Sequence, residues 1–206
     1  MYSLIANHIT NYFIIKKIIS EDKATIYKYG FEILISSIVY IGILLVVSIL
    51  SSTFIQSILF FVSFFIARSV CGGFHANTYF KCHLLFSINH ILVILLLYIL
   101  KNSYYALVPI CIFFLCSVII FIFAPVDHKN KRFIKTEFQR FRRRSVIYSL
   151  FLLVFAIVML FVDSTGNNNY ILSFSFGTLS ATISLLCAKL INIIERKKEN
   201  EKQKTF

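Results

Sequence analysis

Between residues 68 and 82 the chain reads Arg68-Ser69-Val70-Cys71-Gly72-Gly73-Phe74-His75-Ala76-Asn77-Thr78-Tyr79-Phe80-Lys81-Cys82, and here thiols, an imidazole, a fixed cation and two adjacent glycines meet. A sulfur nucleophile works as the thiolate and needs a base to take its proton. His75 and Cys82 supply both groups. On one straight helix the seven-residue separation, at about 1.5 Å rise per residue, would hold the two Cα atoms roughly 10 Å apart, beyond hydrogen-bonding reach. The backbone must therefore bend. Gly72 and Gly73 permit that, because glycine takes positive φ freely, and Asn77 or Thr78 is suited to cap a new helix with Cys82 near its first turns. A helix N-terminus favours a thiolate, as does a close cation such as Arg68 or Lys81.

This chemistry suggests a role for each residue. Cys82 is the candidate nucleophile and His75 the candidate general base and then acid. Arg68 is a charge partner for a substrate carboxylate or for Glu32, and Gly72 and Gly73 supply the bend and backbone N–H groups for an oxyanion. Asn77, Asn89 and Asp127 are all possible orienters of the imidazole, and the sequence does not choose among them. Cys71 is a rival nucleophile, four residues from His75, although the glycine pair between them argues against helical pairing. His83 does not share a helix face with its neighbour Cys82. Two other classes compete. Cys71, His75, Cys82 and His83 are ligand types suited to Zn²⁺ or Cu⁺, but without a tight CxxC pair. A non-enzymatic scaffold or transporter would use the polar third span to line a path. The nucleophilic reading calls for no metal and no cofactor.

The elements that must position these groups follow from composition. The chain has 206 residues, 58% of them hydrophobic and 17% aromatic. With a mean hydropathy of +0.81 there are too few polar residues to cover a soluble globule, so it belongs in a bilayer. The net charge of +12 does not point to nucleic acid, because the basic residues cluster between apolar spans. Five cysteines form no disulfide framework; Cys111, Cys116 and Cys187 lie inside apolar runs as small hydrophobes. No cleavable leader is expected, because residues 1–20 lack a compact apolar core followed by a small-residue cleavage site.

Six apolar spans are expected, at about 33–50, 54–70, 84–100, 104–124, 145–162 and 170–191, each near the roughly 20 residues a bilayer core requires. Residues 2–19, apolar with interspersed polar groups, suit a helix lying in the interface. Ser20 reads as an N-cap with Glu21 and Asp22 in the first turn of the next helix. Basic residues flank the spans on alternate sides, which places both termini and the 68–82 loop in the cytosol. The fold class is an all-α, polytopic integral membrane protein. It is one membrane-embedded domain over 1–206, with an interfacial helix at 1–20 and a charged cytoplasmic tail at 195–206 that ends as a frayed helix. Asn89 and His90 in the third span are costly in lipid and should face protein or water. The basic stretch 127–144 suits anionic headgroups or an acidic peptide.

The pattern resembles the AgrB family, membrane-embedded cysteine endopeptidases of peptide quorum sensing in Gram-positive bacteria. The matching residues are Arg68, Gly72, Gly73, His75, Ala76 and Cys82, with further matches at Tyr29-Gly30-Phe31-Glu32-Ile33 and Ala124-Pro125-Val126-Asp127-His128. Lys129 departs from the proline common after Asp-His in the family, a difference confined to a loop. The resemblance implies cleavage of the C-terminal part of an AgrD-like precursor, closure of a thiolactone ring, a bacterial cell membrane as location, and homodimerisation. Glu32, Lys81, Asn89, Lys129, Lys131 and Arg132 are candidates for substrate contact.

Overall fold

A computed structural model describes residues 2–73, 79–100, 107–126, 134–161 and 169–204. The described residues form helices α1 (Tyr2–Ile15), α2 (Ala24–Leu50), α3 (Phe54–Cys71), α4 (Tyr79–Leu100), α5 (Leu107–Phe123), α6 (Lys135–Phe161) and α7 (Asn169–Lys204), with a 3₁₀ turn at Glu21–Lys23 before α2. Five of these segments are long and apolar enough to cross a membrane: Glu21–Leu50, Phe54–Cys71, Cys82–Leu100, Lys135–Phe161 and Asn169–Glu195; α5 is a shorter apolar helix. The chain is thus a multi-pass, all-α membrane protein.

Each expected span has a helix within it among the described residues, but α5 covers only Leu107–Phe123 of the span expected at 104–124, whereas other helices outrun their apolar runs. α6 starts at Lys135 and takes in the basic residues before its span, and α7 continues through the charged tail to Lys204. The tail is therefore a continuation of the last helix rather than a frayed end. Ser20 has the extended backbone of an N-cap (ψ 147°) but no side-chain capping bond, and α2 proper begins at Ala24.

The chain divides into two compact units. The first comprises Met1–Ser52 and Ala76–Ile91. In it α1 packs on α2, with Phe13 stacked on Phe31 at 5.7 Å, and Ala6 and Thr10 on the buried face of α1. α2 buries Ser36, Tyr40, Leu44 and Ser48, spaced by four so that they form one stripe.

The second unit comprises Thr53–His75 and Leu92–Phe206 and holds the larger core, where Cys71, Phe113, Cys116, Leu152, Ala156 and Leu185 meet. Its helices turn small and hydroxyl residues inward: Ser57, Ser63 and Ala67 on α3, and Ser145, Ser149 and Ala156 on α6. Large apolar side chains such as Phe65, Ile147 and Phe151 point outward. That arrangement suits lipid, where small residues let helices approach and each polar group must be satisfied within the protein. The hydroxyls meet this need locally: Ser63 donates to the Phe60 carbonyl at 3.0 Å and Thr182 to that of Thr178 at 2.9 Å. Ser117 of α5 instead crosses to the Ser149 carbonyl of α6 at 2.7 Å. At Gly177 α3 and α7 approach closely: a Cβ there would overlap the Phe60 carbonyl oxygen and the Ser63 hydroxyl.

Candidate functional site

The bend at the end of α3 is tied down by hydrogen bonds to three of its last four carbonyls. The last carbonyls of a helix have no partner within it and must find one elsewhere. At this end Gly72 N–H donates to the Arg68 carbonyl (3.0 Å), Ser145 Oγ of α6 donates to the Val70 carbonyl (3.1 Å), and Val126 N–H donates to the Cys71 carbonyl (3.2 Å). Gly72 sits at φ 77°, the left-handed region, and a Cβ on it would lie 2.5 Å from the Val126 carbonyl oxygen. Only glycine fits there. The segment after α5, with Val126 paired to Gly72 in a parallel bridge, is thereby tied to the glycine turn.

Arg68 lies in the last turn of α3, over the Phe64 ring at 5.6 Å, and donates from Nη1 to Ser184 Oγ of α7 at 3.0 Å. A Cβ on Gly73 would come within 2.9 Å of the same Ser184 hydroxyl and 3.7 Å of Arg68 Nη1. Arg68, Gly73 and Ser184 thus form one contact cluster. The sequence drew attention to two of them and passed over Ser184, a serine in a run of apolar and hydroxyl residues with nothing in its spacing to set it apart.

Cys82 stands in the first turn of α4 and is a half-buried free thiol. His83 is stacked on the Tyr40 ring of α2 (centroids 5.4 Å, 17°), so it is engaged as a packing ring. His90 is only 3% exposed and Asn89 is half-buried, so both polar groups of the third span turn away from lipid as their cost there requires. Glu32 is half-buried on α2. Cys71 corrects an expectation: it is 2% exposed within the core of the second unit, inaccessible to a substrate or an ion. Gly72 corrects another in part, because its N–H is committed to the Arg68 carbonyl and is not open to an oxyanion. Among the described residues no group of three or more His, Cys, Asp or Glu side chains could hold a metal ion. His75, Asn77, Asp127, Lys129, Lys131 and Arg132 lie outside the described residues, as does the side chain of Lys81.

The geometry of Arg68, the glycine turn and Val126 involves the same segments that carried the sequence resemblance. A family model, Accessory gene regulator B (AgrB), matches residues 5–185. The chain belongs to the AgrB family. It is 29% identical over 153 residues to AgrB-like protein 2 of Clostridium perfringens strain 13, a match covering 68% of this chain and 69% of that protein. It is also 29% identical over 132 residues to an AgrB-like protein of Clostridium perfringens strain SM101, covering 60% of each. No solved structure matches the chain. Membership of the AgrB family links the protein to the accessory gene regulator system and to processing of its quorum-sensing autoinducer.

Proposed function

We propose that the protein is a cysteine endopeptidase of the bacterial cell membrane that cuts an AgrD-like precursor and promotes closure of its thiolactone ring. The observation that carries this reading is the family match across residues 5–185, which takes in the whole 68–82 stretch with the half-buried free Cys82 thiol at the start of α4. In the proposed reaction His75 takes the Cys82 proton and the thiolate attacks the precursor carbonyl carbon. The new C–S bond forms as the C–N bond breaks, and His75 returns the proton to the departing amine. An internal cysteine of the precursor then attacks the thioester, its proton passing through His75 to the released Cys82 sulfur. One thioester is exchanged for another at little cost, which an oxygen ester at a serine would not allow. Arg68, steadied by Ser184, is the proposed partner of a precursor carboxylate, and the Gly73 N–H is the remaining backbone candidate for the oxyanion. The alternating basic flanks support cytoplasmic termini and a cytoplasmic 68–82 loop within a single membrane-embedded domain, and homodimerisation is what the family resemblance implies.

Coexpression with an AgrD-like precursor, followed by mass, tests the reading. Cys82→Ala and His75→Ala each leave the precursor uncut, whereas Cys111→Ala and Cys187→Ala process it normally. Processing that persists in both Cys82→Ala and His75→Ala would overturn the proposal.

A further inference from the structure

Away from Arg68 and Ser184, the second unit contains a cavity of about 320 Å³ where the end of α5, the residues after it, the start of α6 and the later part of α7 converge. Its polar lining is Arg142, Lys189 and Asn192. Arg142 donates to the Ala124 carbonyl and lies over the Phe121 ring at 5.6 Å, and the Lys189 ammonium lies 4.0 Å from the centre of the Phe123 ring. Both cations are half-buried, and among the described residues neither is paired with a carboxylate. Aromatic faces attract cations but do not neutralise them. Two half-buried positive charges in one cavity call for an anion, and a chain with 21 Lys and Arg against 9 Asp and Glu has few to offer.

The rest of the lining indicates the kind of anion. Ile122, Phe138 and Ile193 border the cavity and are 58%, 45% and 44% exposed, so its mouth is continuous with the outward, lipid-facing surfaces of α5, α6 and α7. Along each helix the cavity lies near where the apolar run gives way to charge: just past Phe123 on α5, before Val146 on α6, and between Lys189 and the charged stretch that begins at Glu195 on α7. That level is where phospholipid phosphates sit, and a guanidinium with an ammonium is suited to a phosphate. We propose that this cavity binds the phosphate headgroup of an anionic phospholipid, whose acyl chains stay on the apolar flank. A soluble acidic peptide fits less well, because it would have to lay its backbone along exposed isoleucine and phenylalanine at the edge of the bilayer.

The test uses the full-length protein, purified in detergent, stripped of lipid and titrated with phosphatidylglycerol or phosphatidylcholine under native mass spectrometry. Arg142→Gln and Lys189→Gln each weaken phosphatidylglycerol binding about fivefold, and together by about twentyfold, as expected for loss of one and two basic groups near a headgroup. The exposed neighbours, changed together as Arg143→Gln and Arg144→Gln, cost less than about twofold. Phosphatidylcholine binds more weakly and is indifferent to all four changes. Because Arg142 also holds the Ala124 carbonyl, Lys189→Gln alone, with unchanged thermal unfolding, suffices if Arg142→Gln misfolds. Wild-type phosphatidylglycerol binding by Lys189→Gln, or an equal loss in the Arg143/Arg144 variant, would overturn the assignment. Inorganic phosphate or an Asp/Glu-rich peptide displacing phosphatidylglycerol as effectively as the lipid itself would also overturn it, reassigning the cavity to a free anion or to a peptide.

Discussion

Arg68 is held by a hydroxyl that no spacing argument would have selected. Ser184→Ala removes the acceptor of a charge-assisted hydrogen bond, a loss of about 1–2 kcal/mol, and is expected to slow precursor processing about tenfold. Ser184→Thr keeps a hydroxyl at the position and restores the rate to near wild type, which separates positioning of the guanidinium from simple loss of packing. Initial cleavage rates measured by mass decide between them. Gly72→Ala is a structural lesion of another kind, placing a Cβ in left-handed backbone and against the Val126 carbonyl. It is expected to lower the thermal midpoint by about 5–10 °C, read from unfolding in detergent. Arg68 and the glycine pair stood out in the sequence because such residue types are scarce in an apolar chain. Ser184 did not, because a serine in a membrane helix ordinarily bonds its own preceding turn, as Ser180 does to the Phe176 carbonyl at 2.8 Å.

At the scale of the helix, close approach and open space make opposite predictions for the same change. Gly177→Ala drives a methyl into the α3 backbone at Phe60 and forces α3 and α7 apart, whereas Gly42 on α2 has nothing within 4 Å of the place its Cβ would take. Thermal unfolding should show a loss of about 2 kcal/mol or more for Gly177→Ala. Gly42→Ala should show no loss, or a gain of about 0.5–1 kcal/mol. Five of the six expected spans were legible because hydropathy reports the bilayer, and the fourth, at about 104–124, falls on the shorter helix α5. Helix ends were not, because α6 and α7 carry their hydrogen-bond ladder beyond the apolar zone through charged residues. The glycine pair marked where α3 stops, but the partners that satisfy its last carbonyls, Ser145 and Val126, come from 75 and 55 residues away, and such long-range pairing leaves no local signature.

For the whole molecule, the alternation of basic flanks predicts that residues 51–53 and 163–169 lie outside the cell and that both termini lie inside. In an otherwise cysteine-free background, Asn167→Cys is expected to react with a membrane-impermeant maleimide in intact cells, and Lys202→Cys only after permeabilisation. The reverse pattern would put the 68–82 stretch on the wrong face for a cytoplasmic precursor. The central claim is that Cys82 becomes acylated by that precursor. Its most direct test is intact-protein mass spectrometry of the purified protein mixed with an AgrD-like peptide whose internal cysteine is replaced by alanine, so that the thioester cannot be passed on. A covalent adduct with the mass of the N-terminal part of the peptide, released by hydroxylamine and mapped to Cys82, is expected. An adduct on another residue, or cleavage by Cys82→Ala protein without any adduct, would contradict it.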